Sequence, residues 1–183
     1  MTTFLKNKGN YKQLIAYQKA ECIYDITFYF AHTHLSKGDR TIDQMVQAAR
    51  SGKQNIAEGS AASTTSAETE IKLMNVARAS LQELLIDFED YLRTRHLEQW
   101  QANDERMMQT RRVCAQHNDP EYYVEQISQR SAATIANIAI TLIHQEDVVL
   151  RKLIARLQED FVRNGGIREQ MSAARIAYRK RTN

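Results

Sequence analysis

Five histidines and two cysteines are the side chains from which metal or nucleophilic chemistry would be built in this sequence. A metal centre inside a helical bundle uses Glu-x-x-His, because residues three apart share a helix face. The residues three before His32, His34, His96, His117 and His144 are Tyr29, Ala31, Arg93, Cys114 and Thr141, so that motif does not occur. His32 and His34 are two apart and point to different faces of a helix. Cys114-x-x-His117 lacks the second ligand pair of a tetrahedral zinc site. There is no glycine-rich phosphate loop and no Gly-x-Ser-x-Gly elbow. Catalysis, a bound metal and a cofactor are therefore not expected.

Charge is the remaining chemistry. Lys and Arg total 25 against 22 Asp and Glu, and their distribution is uneven. Residues 1–12 hold Lys6, Lys8 and Lys12 with no acid. Residues 164–183 hold Arg168, Arg175, Arg179, Lys180 and Arg181 against Glu169 alone, while the stretch between the two ends carries 17 cations and 21 acids. Cations bind phosphates by displacing counterions, and arginine adds forked hydrogen bonds. These eight residues are the candidate contacts to RNA or DNA. Basic C-termini also complement helix dipoles or aid solubility. Tyr122 and Tyr123 have rings suited to stacking on bases or to filling a core.

Helices must position these groups. Ile71, Met74, Arg78, Leu81, Leu85, Phe88 and Leu92 alternate spacings of three and four, with Ala77, Leu84 and Tyr91 widening the stripe. That period gathers side chains on one helix face, to be buried against other helices. A first helix over about 11–34 has the seam Ala16, Ala20, Ile23, Thr27 and Phe30, flanked by Ile15, Tyr17, Tyr24 and Ile26. A second, capped by Asp39, runs over 40–58 with Ile42, Met45, Ala49, Gly52 and Ile56 inside. Gly52 costs about 1 kcal/mol of helix propensity relative to alanine, which close approach of a neighbouring helix would justify. Gly59 ends this helix and 60–65 forms a loop; Thr65 or Ser66 caps a third helix reaching about residue 95. Shorter helices follow over 104–116 and from Asp119-Pro120 to Ile127. Ser131 opens a long helix to about 163, closed by Asn164-Gly165-Gly166. The tail has a weak apolar face of Ile167, Met171, Ala174 and Tyr178.

The fold expected is all-α: an antiparallel up-down four-helix bundle over 11–163, a helical insertion at about 97–130, and a basic suffix over 164–183. Two lone cysteines, Cys22 and Cys114, make no disulfide framework, so a cytoplasmic protein is expected. The N-terminus has no apolar signal core. Ile135 to Ile143 is too short and too polar to cross a bilayer, so no membrane role is expected.

The stretch Ala49-Arg50 to Asn55-Ile56-Ala57-Glu58-Gly59, followed by Glu70, Ala77, Ser80, Leu81 and Glu83, resembles the bacterial four helix bundle proteins. That group includes proteins encoded in 23S rRNA intervening sequences and the accessory variability determinant of diversity-generating retroelements. Trp100, Ala136-Asn137-Ile138, Leu142 to Gln145, Phe161 and Gly165-Gly166 resemble a subgroup with a C-terminal suffix domain. The resemblance implies a four-helix bundle, a homo-oligomer that can be a pentameric ring, and an accessory role toward nucleic acid or a nucleic-acid enzyme. The acidic body, the insertion and the tail set this chain apart from the retroelement protein. A protein-interaction scaffold using the insertion and tail is the alternative.

Within the signature, Asn55 and Glu58 are expected to hydrogen-bond loop or helix-end amides, and Gly59 to supply a backbone angle that other residues resist. Arg78 interrupts the third helix's seam. It should pair with Glu70 or Glu58 inside the bundle, or meet a second subunit, since an unpaired buried guanidinium is costly.

Overall fold

The computed structural model describes residues 10–182, the side chains of 181 and 182 excepted. Its helices are α1 (Ile15–His34), α2 (Arg40–Ala62), α3 (Ala67–Thr94), α4 (Glu105–Gln116), α5 (Pro120–Ile127), α6 (Ala132–Asn164) and α7 (Ile167–Thr182). A 3-10 turn, Tyr11–Gln13, precedes α1. No strand occurs among the described residues. The fold is an all-α bundle of six packed helices, with α7 as a seventh at its end. No helix among the described residues is long and apolar enough to cross a membrane.

Local chemistry sets the helix starts. Asp39, Ser66, Asp104, Asp119 and Ser131 each accept a backbone N–H from the first turn that they precede, satisfying donors that have no partner within the helix. The ends differ more from expectation. α1 begins at Ile15, because Leu14 is extended and separates it from the 3-10 turn. Ile15, expected beside the seam, is 54% exposed. α2 does not stop at Gly59 but continues to Ala62. Three successive hydroxyls close it: Ser63 Oγ donates to Ser60 O, Thr64 Oγ1 to Ala61 O and Thr65 Oγ1 to Ala62 O. The small polar stretch thus serves as a hydroxyl cap for the last carbonyls rather than as a full loop.

Packing follows the seams. α1 lies against α2, α2 against α3, α3 against α6, and α6 against α1. Phe30 meets Phe88 at 5.1 Å and Tyr91 edge-on at 4.8 Å, joining α1 to α3 through the centre. Gly52 lies where expected: a Cβ there would come within 2.8 Å of Leu81 Cγ, so the missing side chain lets α3 approach. The residues between α3 and α6 add α4, which packs on α6, and α5, which packs on α1.

Topology places the chain's basic segments. Links 35–39 and 63–66 are too short for anything but a reversal of direction. The 3-10 turn packs on α2, and the last turn of α6 lies beside the α2–α3 link. Lys12 and the root of α7 are therefore at the same end of the bundle.

Candidate functional site

The basic helix is built by the break at Gly165, whose φ of 67° ends α6 in a region that favours glycine. Beyond it, the Glu169 carboxylate accepts the Gly166 N–H at 2.7 Å. This is the reciprocal half of a capping box, and it commits the only acid of α7 to the helix start. Arg168, Arg175, Arg179 and Lys180 are all exposed. At 3.6 residues per turn the three arginines fall within an arc of ~40° and span ~16 Å. The neighbouring stripe of Ile167, Met171, Ala174 and Tyr178 stays largely in solvent, with Met171 48% and Tyr178 70% exposed. α7 is not packed along any helix of the bundle. α6 itself has no buried residue after Ile154, with Leu157 half-buried against the core, so α7 begins beyond the last buried turn. A cleft of about 360 Å³ separates the α2–α3 link from the α6–α7 joint, with Glu70 and Asp160 among its lining.

Lys12 is exposed at the same end, and its carbonyl accepts from Gln18 Nε2 at 2.9 Å. Lys6, Lys8 and the side chain of Arg181 lie outside the described residues.

The signature residues play other parts than expected. Asn55 donates to Ser51 O at 2.8 Å and lies 3.2 Å from Ser51 Oγ, one turn back in its own helix, so it reaches no loop or helix-end amide. Ser51 in turn meets Ser80 on α3 at 2.9 Å. Glu58 is exposed, and its side chain makes no hydrogen bond among the described residues. Gly59 has no unusual backbone angle. Its role is clearance, because a Cβ would stand 3.3 Å from Glu70 O and 3.2 Å from Met74 Cε on α3. Glu70 is buried in the first turn of α3. Arg78 pairs with neither Glu70 nor Glu58: its Nε donates to Asp147 Oδ1 on α6 at 2.6 Å, and its side chain is 39% exposed. Arg151 approaches the other oxygen of Asp147 at 2.9 Å. The reason is geometric, since α3 packs on α6 and brings Asp147 to Arg78 at the edge of the seam.

Sequence reasoning missed a buried polar system that attaches the insertion. Lys19 is 3% exposed, and its Nζ donates to Cys114 O at 2.8 Å and to Gln145 Oε1 at 3.3 Å. Cys114 lies in the last turn of α4, where carbonyls lack helical partners, so a lysine of α1 caps another helix's negative end. On α6, Asn137, Thr141 and Gln145 repeat every four residues along one face. Asn137 accepts the Trp100 N–H and donates to Glu98 O, Thr141 Oγ1 lies 3.3 Å from Met107 Sδ, and Gln145 donates to Arg111 O. Glu146 is fully buried, and neither carboxylate oxygen has a hydrogen-bond partner among the described residues. Burial pushes its pKa well above the usual carboxylate range, with nearby Lys19 opposing the shift. Burial likewise lowers Lys19 and raises Cys22 to about 12 and Cys114 to about 11, so both thiols stay protonated. A usable signal was present: Lys19 stands between Ala16 and Ile23, and Glu146 between Leu142 and Val149, at inward positions.

His32 Nδ1 faces Phe28 O at 2.8 Å, and His117 stacks on Tyr122 at 3.7 Å. Tyr123 is buried and Tyr122 half-buried. No group of three metal-ligating side chains occurs among the described residues. No protein-family model, curated protein or solved structure matches the chain.

Proposed function

We propose that this chain is a non-catalytic, self-associating helical-bundle protein that engages nucleic acid through α7 and serves as an accessory module to a nucleic-acid-processing partner. The core reads as an antiparallel four-helix bundle of α1, α2, α3 and α6, with α4 and α5 inserted before the fourth helix. The observation that carries the reading is the row of Arg168, Arg175 and Arg179 on one face of a helix held off the core. Three further features support it. The single acid of α7 is committed to the helix start. Lys12 lies at the same end of the bundle as α7's root. The Asn55–Gly59 stretch resembles a group in which such bundles form rings and work beside nucleic-acid enzymes; assembly as a ring, pentameric in that group, belongs to the same reading.

A filter-binding titration of RNA and DNA with the full chain tests it. Salt-sensitive binding is expected, weakened by joint Arg168→Ala, Arg175→Ala and Arg179→Ala substitution; no salt-sensitive affinity for any polynucleotide removes the nucleic-acid role. Light scattering should give a mass several times that of one 21.1 kDa chain, and a monomer at all concentrations removes self-association.

The exposed apolar stripe of Met171 and Tyr178 favours a second reading, a scaffold that docks a partner helix. Partner capture that survives nuclease treatment and requires residues 97–183 would select it.

A further inference from the structure

The insertion forms a half-open cavity, with exposed Gln109, Gln126 and Arg130 at its polar side, that the basic helix does not use. It measures about 360 Å³ and lies between the segment around Trp100, α4, α5 and the first two turns of α6. That volume falls in the range of sites for small organic molecules. Trp100, Tyr122 and Tyr123 supply aromatic wall, Gln109 and Gln126 supply amides, and Arg130 supplies a cation. None of the lining residues is acidic. The second lining cation, Arg106, covers the Trp100 ring at 5.3 Å and is bound by Glu98 and Asp104. Arg130 makes no ion pair among the described residues.

The walls are held in place before any ligand arrives. Asn137, fully buried, accepts the Trp100 N–H at 2.8 Å and donates to Glu98 O at 2.9 Å and Ala133 O at 2.8 Å. The Tyr122 ring is stacked on His117 with 6° between planes and meets Tyr123 edge-on. Tyr123 OH donates to His117 O at 3.0 Å. Rigid aromatic walls reduce the ordering cost of binding.

We propose that this cavity binds a planar heteroaromatic small molecule carrying an anionic group, no larger than a mononucleotide. The rings of Trp100 and Tyr122 offer stacking surface, Gln109 and Gln126 offer paired donor and acceptor edges, and Arg130 meets the anion. The site is separate from the basic helix: Thr134 lines the cavity near the start of α6, ~45 Å along that helix from its end at Asn164.

Trp100 is the chain's single tryptophan, so its emission reports on this cavity alone. The full chain is titrated with the four common nucleoside 5′-monophosphates and, separately, with nicotinate, by fluorescence and by calorimetry. Saturable quenching with matching heat is expected for one of the two arms, and which arm responds separates a phosphate-bearing from a carboxylate-bearing ligand. Arg130→Ala should weaken binding about tenfold or more, while Arg175→Ala should leave it unchanged. Gln126→Ala, a second exposed position, should also weaken it. Circular dichroism verifies that both variants retain their helices, and Gln126→Ala decides if Arg130→Ala does not fold. No saturable response to either class at millimolar concentration overturns the proposal. So does binding that folded Arg130→Ala and Gln126→Ala both leave unchanged.

Discussion

Lys19 and Glu146 are both buried in the bundle, and no salt bridge joins them among the described residues. Glu146 holds its proton more strongly in the folded chain than in the unfolded one, where the ordinary value is 4.5. Its contribution to stability is therefore full below that value and is lost as pH rises through the raised folded value. Glu146→Gln should remove this loss. The melting temperature of the variant, minus that of the parent, should be larger at about pH 8 than at about pH 5; a difference that is constant or shrinks contradicts the burial argument. Gly52 supports a second prediction. Gly52→Ala gains helix propensity of about 1 kcal/mol but drives a methyl into Leu81, a side chain 2% exposed. Overpacking of that kind costs ~1–3 kcal/mol, so denaturant titration should show net destabilisation, and a more stable variant would mean that Leu81 moves freely. Gly52 was legible in the sequence, since a glycine amid an inward stripe needs a reason. Gly59 was misread because a glycine near a helix end has two physical uses, and only the position of α3 distinguishes them.

Helix boundaries show how far local rules reach. Caps at Asp39, Ser66, Asp119 and Ser131 were readable because a side-chain acceptor and a backbone donor a few residues apart determine one another. The end of α2 was not, because Ser63, Thr64 and Thr65 look like loop residues until their hydroxyls are seen to serve the last carbonyls. α3 ends in a similar non-obvious way. Leu97 N–H bonds to Leu92 O and His96 N–H to Arg93 O, with His96 at φ 55°, a Schellman closure with histidine in the position that glycine usually takes. His96→Gly should then relieve left-handed backbone strain and stabilise the chain by ~0.5–1 kcal/mol. Thermal unfolding checks this, and a lower melting temperature would show that the histidine ring contributes more than the strain costs. The attachment of the insertion by Lys19, Asn137 and Gln145 was beyond sequence rules, because it joins groups 34 to 95 residues apart.

At the scale of the whole molecule, charge and core are separated. The bundle buries its seams within α1, α2, α3 and α6, carries its acids along its body, and holds its arginine row on a helix beyond the last buried residue of α6. Stripe periodicity made the all-α bundle legible, and composition marked the basic suffix. The aromatic cavity was not legible, because Trp100, Tyr122 and Arg130 come together only through the packing of the insertion. The proposed contact is between α7 and phosphates. Its most direct measurement is the slope of log affinity against log salt for a labelled polynucleotide, taken for the full chain and for the joint Arg168→Ala, Arg175→Ala, Arg179→Ala variant. Each phosphate contact adds ~0.7–0.9 to that slope, so the variant's slope should be shallower by roughly two to three. Equal slopes for the two proteins would contradict the claim.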